Sequence, residues 1–251
     1  MFYTGDINLK GSRMLPPADL DIENIDLLIT ESTYSQSNQM PRHEAERGLI
    51  EFANEIMDRK GILFIPSFSV ERSQEIACVL KNANFKHRII MDGMALKVND
   101  IILQHPEYQK EPKTFKEVID KVVAINDHKD RKNVLSEPCV VISPAGMLVG
   151  GTAAFYKKII TKRPENGVAL VSFQAPNTPG KTLWDKRIVL INGKKVKVQC
   201  DVEKFDFSSH SGQKELFDMF NKIKGNGEIE NNQFTSMEDF SHFRMEIKYY
   251  Y

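Results

Sequence analysis

The sequence of 251 residues predicts an α/β fold in which helices cover the faces of a parallel β-sheet. Three observations support this prediction. Short apolar runs alternate with amphipathic segments along most of the chain, which is typical of parallel sheets. The first of these runs end in polar, acidic residues. The composition, 41% apolar and 27% charged, is that of a globular protein with material for a sizeable core.

The periodicity assigns the elements in order. Apolar runs bounded by turn residues indicate strands, and apolar positions three or four residues apart indicate helices. The predicted strands are 2–6, 27–30, 61–66, 87–93, 138–143 and 167–173. The predicted helices are 41–60, 69–83, 94–106, 115–125, 152–162 and 213–224. Residues 187–207 alternate around Asn192-Gly193, which predicts antiparallel strands joined by a hairpin turn. No period is visible in residues 225–251, which are predicted to be irregular.

Composition also limits the function. The 34 basic and 34 acidic residues balance, so any nucleic-acid binding must come from a local patch. No apolar run is long enough for a membrane span, and the first residues do not form a secretory signal. The three cysteines are far apart and form no CxxC, which favours free thiols in a reducing, cytoplasmic compartment.

Four local patterns could carry chemistry. Asp6 follows a glycine at a strand end, Glu31 ends an apolar strand, and His210 lies among serines before a helix. The loop 143–151 is rich in glycine and joins a strand to a helix, an arrangement that suits a phosphate. Each pattern has an ordinary alternative. Asp6 suits a turn, Glu31 an ion pair, the serines a helix cap and the loop a tight turn.

In this order, the four patterns resemble the β-CASP branch of the metallo-β-lactamase fold, a family of RNA-processing nucleases. FYTGD resembles the metal motif whose Asp bridges two zinc ions, ITESTY the acidic β-CASP motif, and FDFSSHSG the motif that carries a histidine. ILFIPSFSVERSQEI, IIMDGMA, ISPAGMLVGG and LVSFQAPNTPGKTL follow the family order. The resemblance implies a β-CASP domain over residues 38–195. This domain is inserted between metallo-β-lactamase parts at 1–37 and 196–224.

The sequence also departs from the family. It contains no H-x-H, whereas the family has H-x-H-x-D-H upstream of the TGD strand. The histidine that should follow the second metallo-β-lactamase part is absent, and Glu71 replaces the usual glycine before Arg72. We therefore expect the C-terminal portion of such an enzyme, which alone neither cleaves RNA nor retains its zinc.

The resemblance implies a role for each candidate. In a complete site Asp6 would bridge the zinc ions, Glu31 would orient a neighbouring ligand, and His210 would contact a metal or the scissile phosphate. The remaining candidates are possible contacts to RNA: Ser143, Gly146, Gly150, Gly151, Ser208, Ser209, Arg72 and Lys181.

The implied function is zinc-dependent hydrolysis of RNA, in the manner of mRNA 3′-end processing or RNA decay. Three alternatives stay open: a non-catalytic RNA-binding or assembly subunit, an inert fragment, and a small-molecule hydrolase. The long insert between Glu31 and His210 argues against the last. RNA is the expected partner, together with a second copy of the chain or a β-CASP paralogue. The sequence does not distinguish an endonuclease from a 5′-exonuclease.

Overall fold

One six-stranded sheet organises most of the computed structural model, which describes residues 1–223 apart from 23, 24, 26, 126 and 128. The strands of the chain are β1 (Phe2–Tyr3), β2 (Leu28–Ile29), β3 (Ile62–Pro66), β4 (Arg88–Asp92), β5 (Val123–Ile125), β6 (Cys139–Ser143), β7 (Gly167–Leu170), β8 (Ile188–Ile191), β9 (Lys194–Lys197) and β10 (Asp201–Lys204). The large sheet has the order β10-β7-β3-β6-β4-β5, and all its neighbouring pairs are parallel. The predicted α/β class is confirmed.

Helices cover both faces of this sheet, so its central strands are buried along their whole length. The helices are α1 (Arg42–Asp58), α2 (Arg72–Asn82), α3 (Met94–Gln104), α4 (Pro112–Ile119), α5 (Asp130–Asn133), α6 (Ala153–Ile160), α7 (Pro179–Lys186) and α8 (Gln213–Lys222). Leu63 and Ile65 pack in one core with α1 and α2, while Ile62 and Phe64 pack in a second core with α6 and α7. Continuous apolar strands are the expected consequence of two covered faces.

Two compact units share the chain. Unit 1 contains Met1–Ser12, Pro16–Met40 and the described residues from Ser208 onward, whereas unit 2 contains Arg13–Leu15 and Pro41–Phe207. The domain limits expected from the family, 38 and 195, stay a prediction. The segment 225–251 lies outside the described residues.

Three sequence predictions need correction. The helix expected over 115–125 ends at Ile119, and Val123–Ile125 pairs with β4 at the sheet edge instead. Pro176, Pro179 and Gly180 are expected to mark a loop, but α7 begins at Pro179, because proline suits a first helical position and Thr178 Oγ1 accepts a hydrogen bond from Lys181 N. In the segment 187–207, β10 is parallel to β7 rather than antiparallel.

The hairpin prediction is confirmed. Strands β8 and β9 pair antiparallel, with Ile191 opposite Lys194. Asn192 and Gly193, between them, have φ values of 51° and 77°. Positive φ at both turn residues matches the right-handed twist of the strands, which is why Asn-Gly predicts such turns.

Unit 1 has a small sheet and a small core. Strand β1 pairs parallel to β2 over two residues, with Phe2 opposite Leu28. Among the described residues its core contains Ile7 together with Leu216 and Met219 of α8. These contacts hold the ends of β1 and β2 close to the start of α8.

A buried ionic cluster ties Arg13–Leu15 to the helices of unit 2. The Glu75 carboxylate is fully buried and accepts hydrogen bonds from Arg13 N (2.9 Å) and Met14 N (3.1 Å). Arg42 pairs with Glu75 and also with Glu46. Glu46 in turn accepts hydrogen bonds from Nε and Nη2 of Arg13, and this contact raises the Arg13 pKa. Such a network is costly to break, because each buried charge depends on its partners.

All three cysteines are free and buried. Burial raises the pKa of Cys78 and Cys200 to about 12 and that of Cys139 to about 11. Since the thiolate is the reactive form, we expect Ellman's reagent at pH 8 to modify the native chain at least about 100-fold more slowly than free cysteine. In urea all three thiols should react promptly. A thiol that reacts fast in the native chain would contradict this prediction.

The same shifts predict how stability depends on pH. The folded-state thiols have pKa values above the ordinary value of 9.0, so on alkalinisation the unfolded chain loses these protons first. Their contribution to stability is complete below about pH 9 and declines as the pH rises toward 11 and 12.

Candidate metal and RNA site

The ends of two paired strands place two carboxylates side by side. Phe2 N donates to Leu27 O and Thr4 N donates to Ile29 O, which sets the register of β1 against β2. Gly5 follows with φ of +59°, a conformation that glycine adopts without strain, and the chain turns there before Asp6. Glu31 lies two residues beyond the end of β2. Asp6 and Glu31 therefore leave the small sheet at the same edge.

The Glu31 carboxylate links the backbone after Asp6 to the side chain of His210. Its Oε1 accepts a hydrogen bond from Ile7 N (2.8 Å), and its Oε2 lies 2.6 Å from Nδ1 of His210. The side chain is only 6% exposed, so both contacts are shielded from water. Because Nδ1 is occupied, Nε2 is the ring nitrogen of His210 left for a metal or for proton transfer.

Backbone contacts hold His210 from both sides. Its carbonyl accepts a hydrogen bond from Gln39 Nε2 (2.7 Å), and its N–H donates to Ser208 Oγ (3.2 Å). The next residue, Ser211, donates through its N–H and its hydroxyl to Ile7 O and accepts from Leu9 N. Ser211 therefore ties the loop after Asp6 to the histidine loop. The alternative in which Ser211 caps the helix is wrong, because Gly212 is the cap residue of α8.

Asp6, Glu31 and His210 converge, as expected from their motifs. Each offers a ligand atom, and these atoms lie within 4.8 Å of one another. Carboxylate oxygen and imidazole nitrogen are donors that zinc accepts in proteins, so this set fits a zinc ion. Across the part of the chain that the structure describes, no other cluster of at least three such groups occurs. A hydrolytic site with two zinc ions needs more ligands than these three residues supply.

The glycine-rich loop lies at the carboxyl end of β6. Ser143 is fully buried and hydrogen-bonds Thr152 Oγ1, which also donates to Pro144 O (2.9 Å). Gly146 lies between two other strand ends, and Gly150 and Gly151 have positive φ. The expected contact of this loop with RNA stays a prediction.

The other predicted RNA contacts differ in accessibility. Arg72 is 7% exposed, burial lowers its pKa, and its Nη1 donates to Val171 O (2.8 Å). This guanidinium connects the start of α2 to the segment after β7 inside the protein. Lys181 is half-exposed and pairs with Asp185, while Ser208 and Ser209 are half-buried beside His210. Their proposed contacts to RNA stay predictions.

Among the described residues, the cluster includes no histidine besides His210. His43, His87 and His105 are exposed, as expected of solvated side chains. His128 and His242 lie outside the described residues. Gln39, which donates to the His210 carbonyl, carries no signal in the sequence, whereas Ser211 belongs to the FDFSSHSG motif.

Comparison with known proteins establishes the class. Residues 73–183 match the Beta-Casp domain, and residues 195–227 match the Zn-dependent metallo-hydrolase RNA specificity domain. The chain belongs to the β-CASP family. Among the described residues, no helix combines the length and apolar character needed to cross a lipid bilayer.

Archaeal relatives make the assignment more specific. The chain is 33% identical to RNase aCSPSF2 of Saccharolobus solfataricus over 223 residues, which are 88% of this chain and 45% of that protein. It is 32% identical to Probable RNase MJ4 of Methanocaldococcus jannaschii, with 89% of this chain and 54% of that protein covered. Transcription termination factor FttA of Pyrococcus abyssi is 31% identical, with coverages of 88% and 38%. The chain thus spans about half or less of these relatives.

Proposed function

We propose that this chain forms the RNA-binding part and one side of the metal site of a zinc-dependent RNA phosphodiesterase. The convergence of Asp6, Glu31 and His210 is the observation that carries the proposal. The match to an RNA specificity domain of zinc-dependent metallo-hydrolases supports RNA as the substrate class. The relatives named as RNases support the reaction type.

Each of the three side chains would have a separate task. Asp6, which is exposed, would bridge the metal ions through its carboxylate. Glu31 would keep the imidazole of His210 in one orientation through its contact with Nδ1. His210 would hold a proton at Nε2 for the leaving oxygen of the cleaved phosphodiester, or contact a metal there. Zinc ions, when bound, supply Lewis acidity that stabilises the charge developing on the phosphate.

A second candidate is a non-catalytic RNA-binding or assembly subunit. The sequence contains six histidines but no H-x-H, and the three-residue cluster is too small for two zinc ions. An RNA cleft and partner surfaces would remain without those ligands. In this case a second copy of the chain or a β-CASP paralogue would be the natural partner. The buried free thiols suit the cytoplasm in either case.

Metal analysis and RNA assays on the purified chain separate these candidates. After dialysis, we expect less than one zinc per chain, no cleavage of single-stranded RNA, and RNA binding that weakens as salt concentration rises. Asp6→Asn should lower any residual zinc, whereas Asp19→Asn, at an exposed loop aspartate, should not.

The outcomes bear on different parts of the proposal. Two zinc ions per chain with nuclease activity would show that the chain is a complete enzyme, against our expectation. Absence of RNA binding at low salt would overturn the RNA function. RNA binding that becomes cleavage when the upstream half of an RNase relative is added would favour the phosphodiesterase over the non-catalytic subunit.

A further inference from the structure

Two phenylalanines protrude at one end of the large sheet, where the carboxyl ends of its parallel strands lie. We call this end of the sheet the carboxyl edge. Phe68 follows the end of β3 by two residues, and Phe173 follows the end of β7 by three. These strands are parallel neighbours, so both side chains lie where the carboxyl ends of the strands meet. Ligands of open α/β sheets bind at this edge.

Gly146 shows how close the two positions are. A β-carbon on Gly146 would lie 2.8 Å from Ser172 Oγ and 3.2 Å from Phe68 N. Phe68 and the residue before Phe173 therefore contact the same glycine from two directions. The lack of a side chain at Gly146 lets the two segments approach each other.

Both phenylalanines are exposed although their neighbours are buried. Phe68 is 41% and Phe173 is 61% exposed, while Ser67, Ser172 and Gln174 are buried. The other phenylalanines among the described residues of unit 2 are buried or half-buried. Val70 and Val149, also exposed, belong to the loops after β3 and β6. Exposed apolar groups collected at one edge indicate a binding surface rather than scattered surface residues.

Buried hydrogen bonds fix both backbones. Ser73 donates to Phe68 O through its N–H and its hydroxyl. Gln174 Nε2 donates to Ser172 O (2.8 Å) and to Gly146 O (3.0 Å). The two rings are therefore presented outward by a rigid frame, which reduces the entropy lost when a ligand binds.

We propose that Phe68 and Phe173 form a platform on which unpaired bases of single-stranded RNA stack. This inference rests on the proposed RNA function and adds a site to it. Aromatic side chains bind bases of any identity through their faces, as in other proteins that bind single strands. The residues that flank Phe68 and Phe173 in the chain are serine and glutamine, which carry no charge, so this site would contact bases rather than phosphates.

The test uses the 251-residue chain and a fluorescein-labelled 20-nucleotide oligouridine in an anisotropy titration. We expect Phe68→Ala and Phe173→Ala each to raise the Kd about tenfold, since stacking contributes substantially to each bound base. The salt dependence should stay as in the unaltered chain, because no phosphate contact is lost. Phe173→Trp should retain affinity. The control is Tyr108→Ala, which removes an exposed aromatic ring of unit 2 away from this edge.

A blunt RNA duplex separates stacking from general affinity. Its bases are already stacked in the helix, so the phenylalanine variants should bind it as the unaltered chain does. Thermal unfolding should confirm that the variants fold, as expected for exposed positions.

Different results would overturn the stacking platform and the proposed RNA function. If the unaltered chain binds oligouridine and a double variant with both Phe68→Ala and Phe173→Ala binds it within twofold, the platform is overturned and the RNA function stands. If the unaltered chain does not bind RNA, both the platform and the RNA function are overturned. Loss of self-association in the double variant, with RNA binding retained, would make this edge a protein interface and also overturn the platform.

Discussion

Replacing Glu75 with alanine is expected to lower the free energy of unfolding by about 3–5 kcal/mol. The carboxylate is fully buried and accepts two backbone hydrogen bonds, from Arg13 and Met14, besides its ion pair with Arg42. Alanine would leave two N–H groups without acceptors, and each such buried group costs about 1–3 kcal/mol. Urea unfolding followed by circular dichroism measures the change.

A matched control separates this effect from the general loss of a glutamate. Glu51 lies on the outer face of α1, 71% exposed, and its contact with Arg47 is long at 4.0 Å. Glu51→Ala should change stability by less than about 0.5 kcal/mol. In Glu75→Ala, trypsin should also cleave after Arg13 faster, because the segment Arg13–Leu15 loses its anchor. A destabilisation below about 1 kcal/mol would show that the buried network relaxes around the gap.

The second large effect concerns His210 in an enzyme with the upstream metal motifs present. In a chimaera of the upstream half of RNase aCSPSF2 with this chain, His210→Ala should slow RNA cleavage by about 10²–10⁴-fold. Glu31 contacts the ring at Nδ1, and in the proposed mechanism Nε2 would give a proton to the leaving oxygen. Single-turnover cleavage of a labelled RNA measures the rate.

Two further measurements define what His210 does. Zinc content and RNA affinity should remain mostly intact in His210→Ala, since its expected role is in the reaction. His43→Ala, at an exposed histidine of α1, is the control and should cleave normally. Loss of zinc along with activity would identify His210 chiefly as a metal ligand. A rate decrease of less than tenfold would contradict the assigned role.

Local sequence predicted the central sheet because its strands are short apolar runs with clear limits. Gly61 and the residues after Pro66 mark the two ends of β3, and turn-forming residues likewise mark the ends of β6. Pairing at the edges was harder to predict. Val123–Ile125 continues the apolar period of α4, and only its contact with β4 makes it a strand. The parallel direction of β10 likewise depends on β7, whose paired residues lie 34 positions earlier in the chain.

In the candidate site, too, some residues could be predicted from the sequence and others could not. Asp6, Glu31 and His210 were predicted because each belongs to a recognisable motif, and the structure brings them together. Gln39 could not be predicted, since it acts on the backbone of His210 from 171 residues away in sequence. Phe68 and Phe173 lie within stretches that resemble the family, but nothing in those stretches indicates that their side chains are exposed. Each follows an apolar strand, and only the fold shows which aromatic residues remain outside the core.

Because the core of unit 1 is small, the stability of this unit is sensitive to the binding of a ligand. In the described residues the buried apolar core there contains Ile7, Leu216 and Met219, and its sheet has two residues per strand. A unit with so little buried apolar surface is marginally stable by itself. A ligand that binds only the folded form stabilises it by mass action, by about 2.7 kcal/mol at a concentration of 100 times the Kd. With the proposed metal site, the folded fraction of this unit would therefore rise with the concentration of that metal in the surrounding solution.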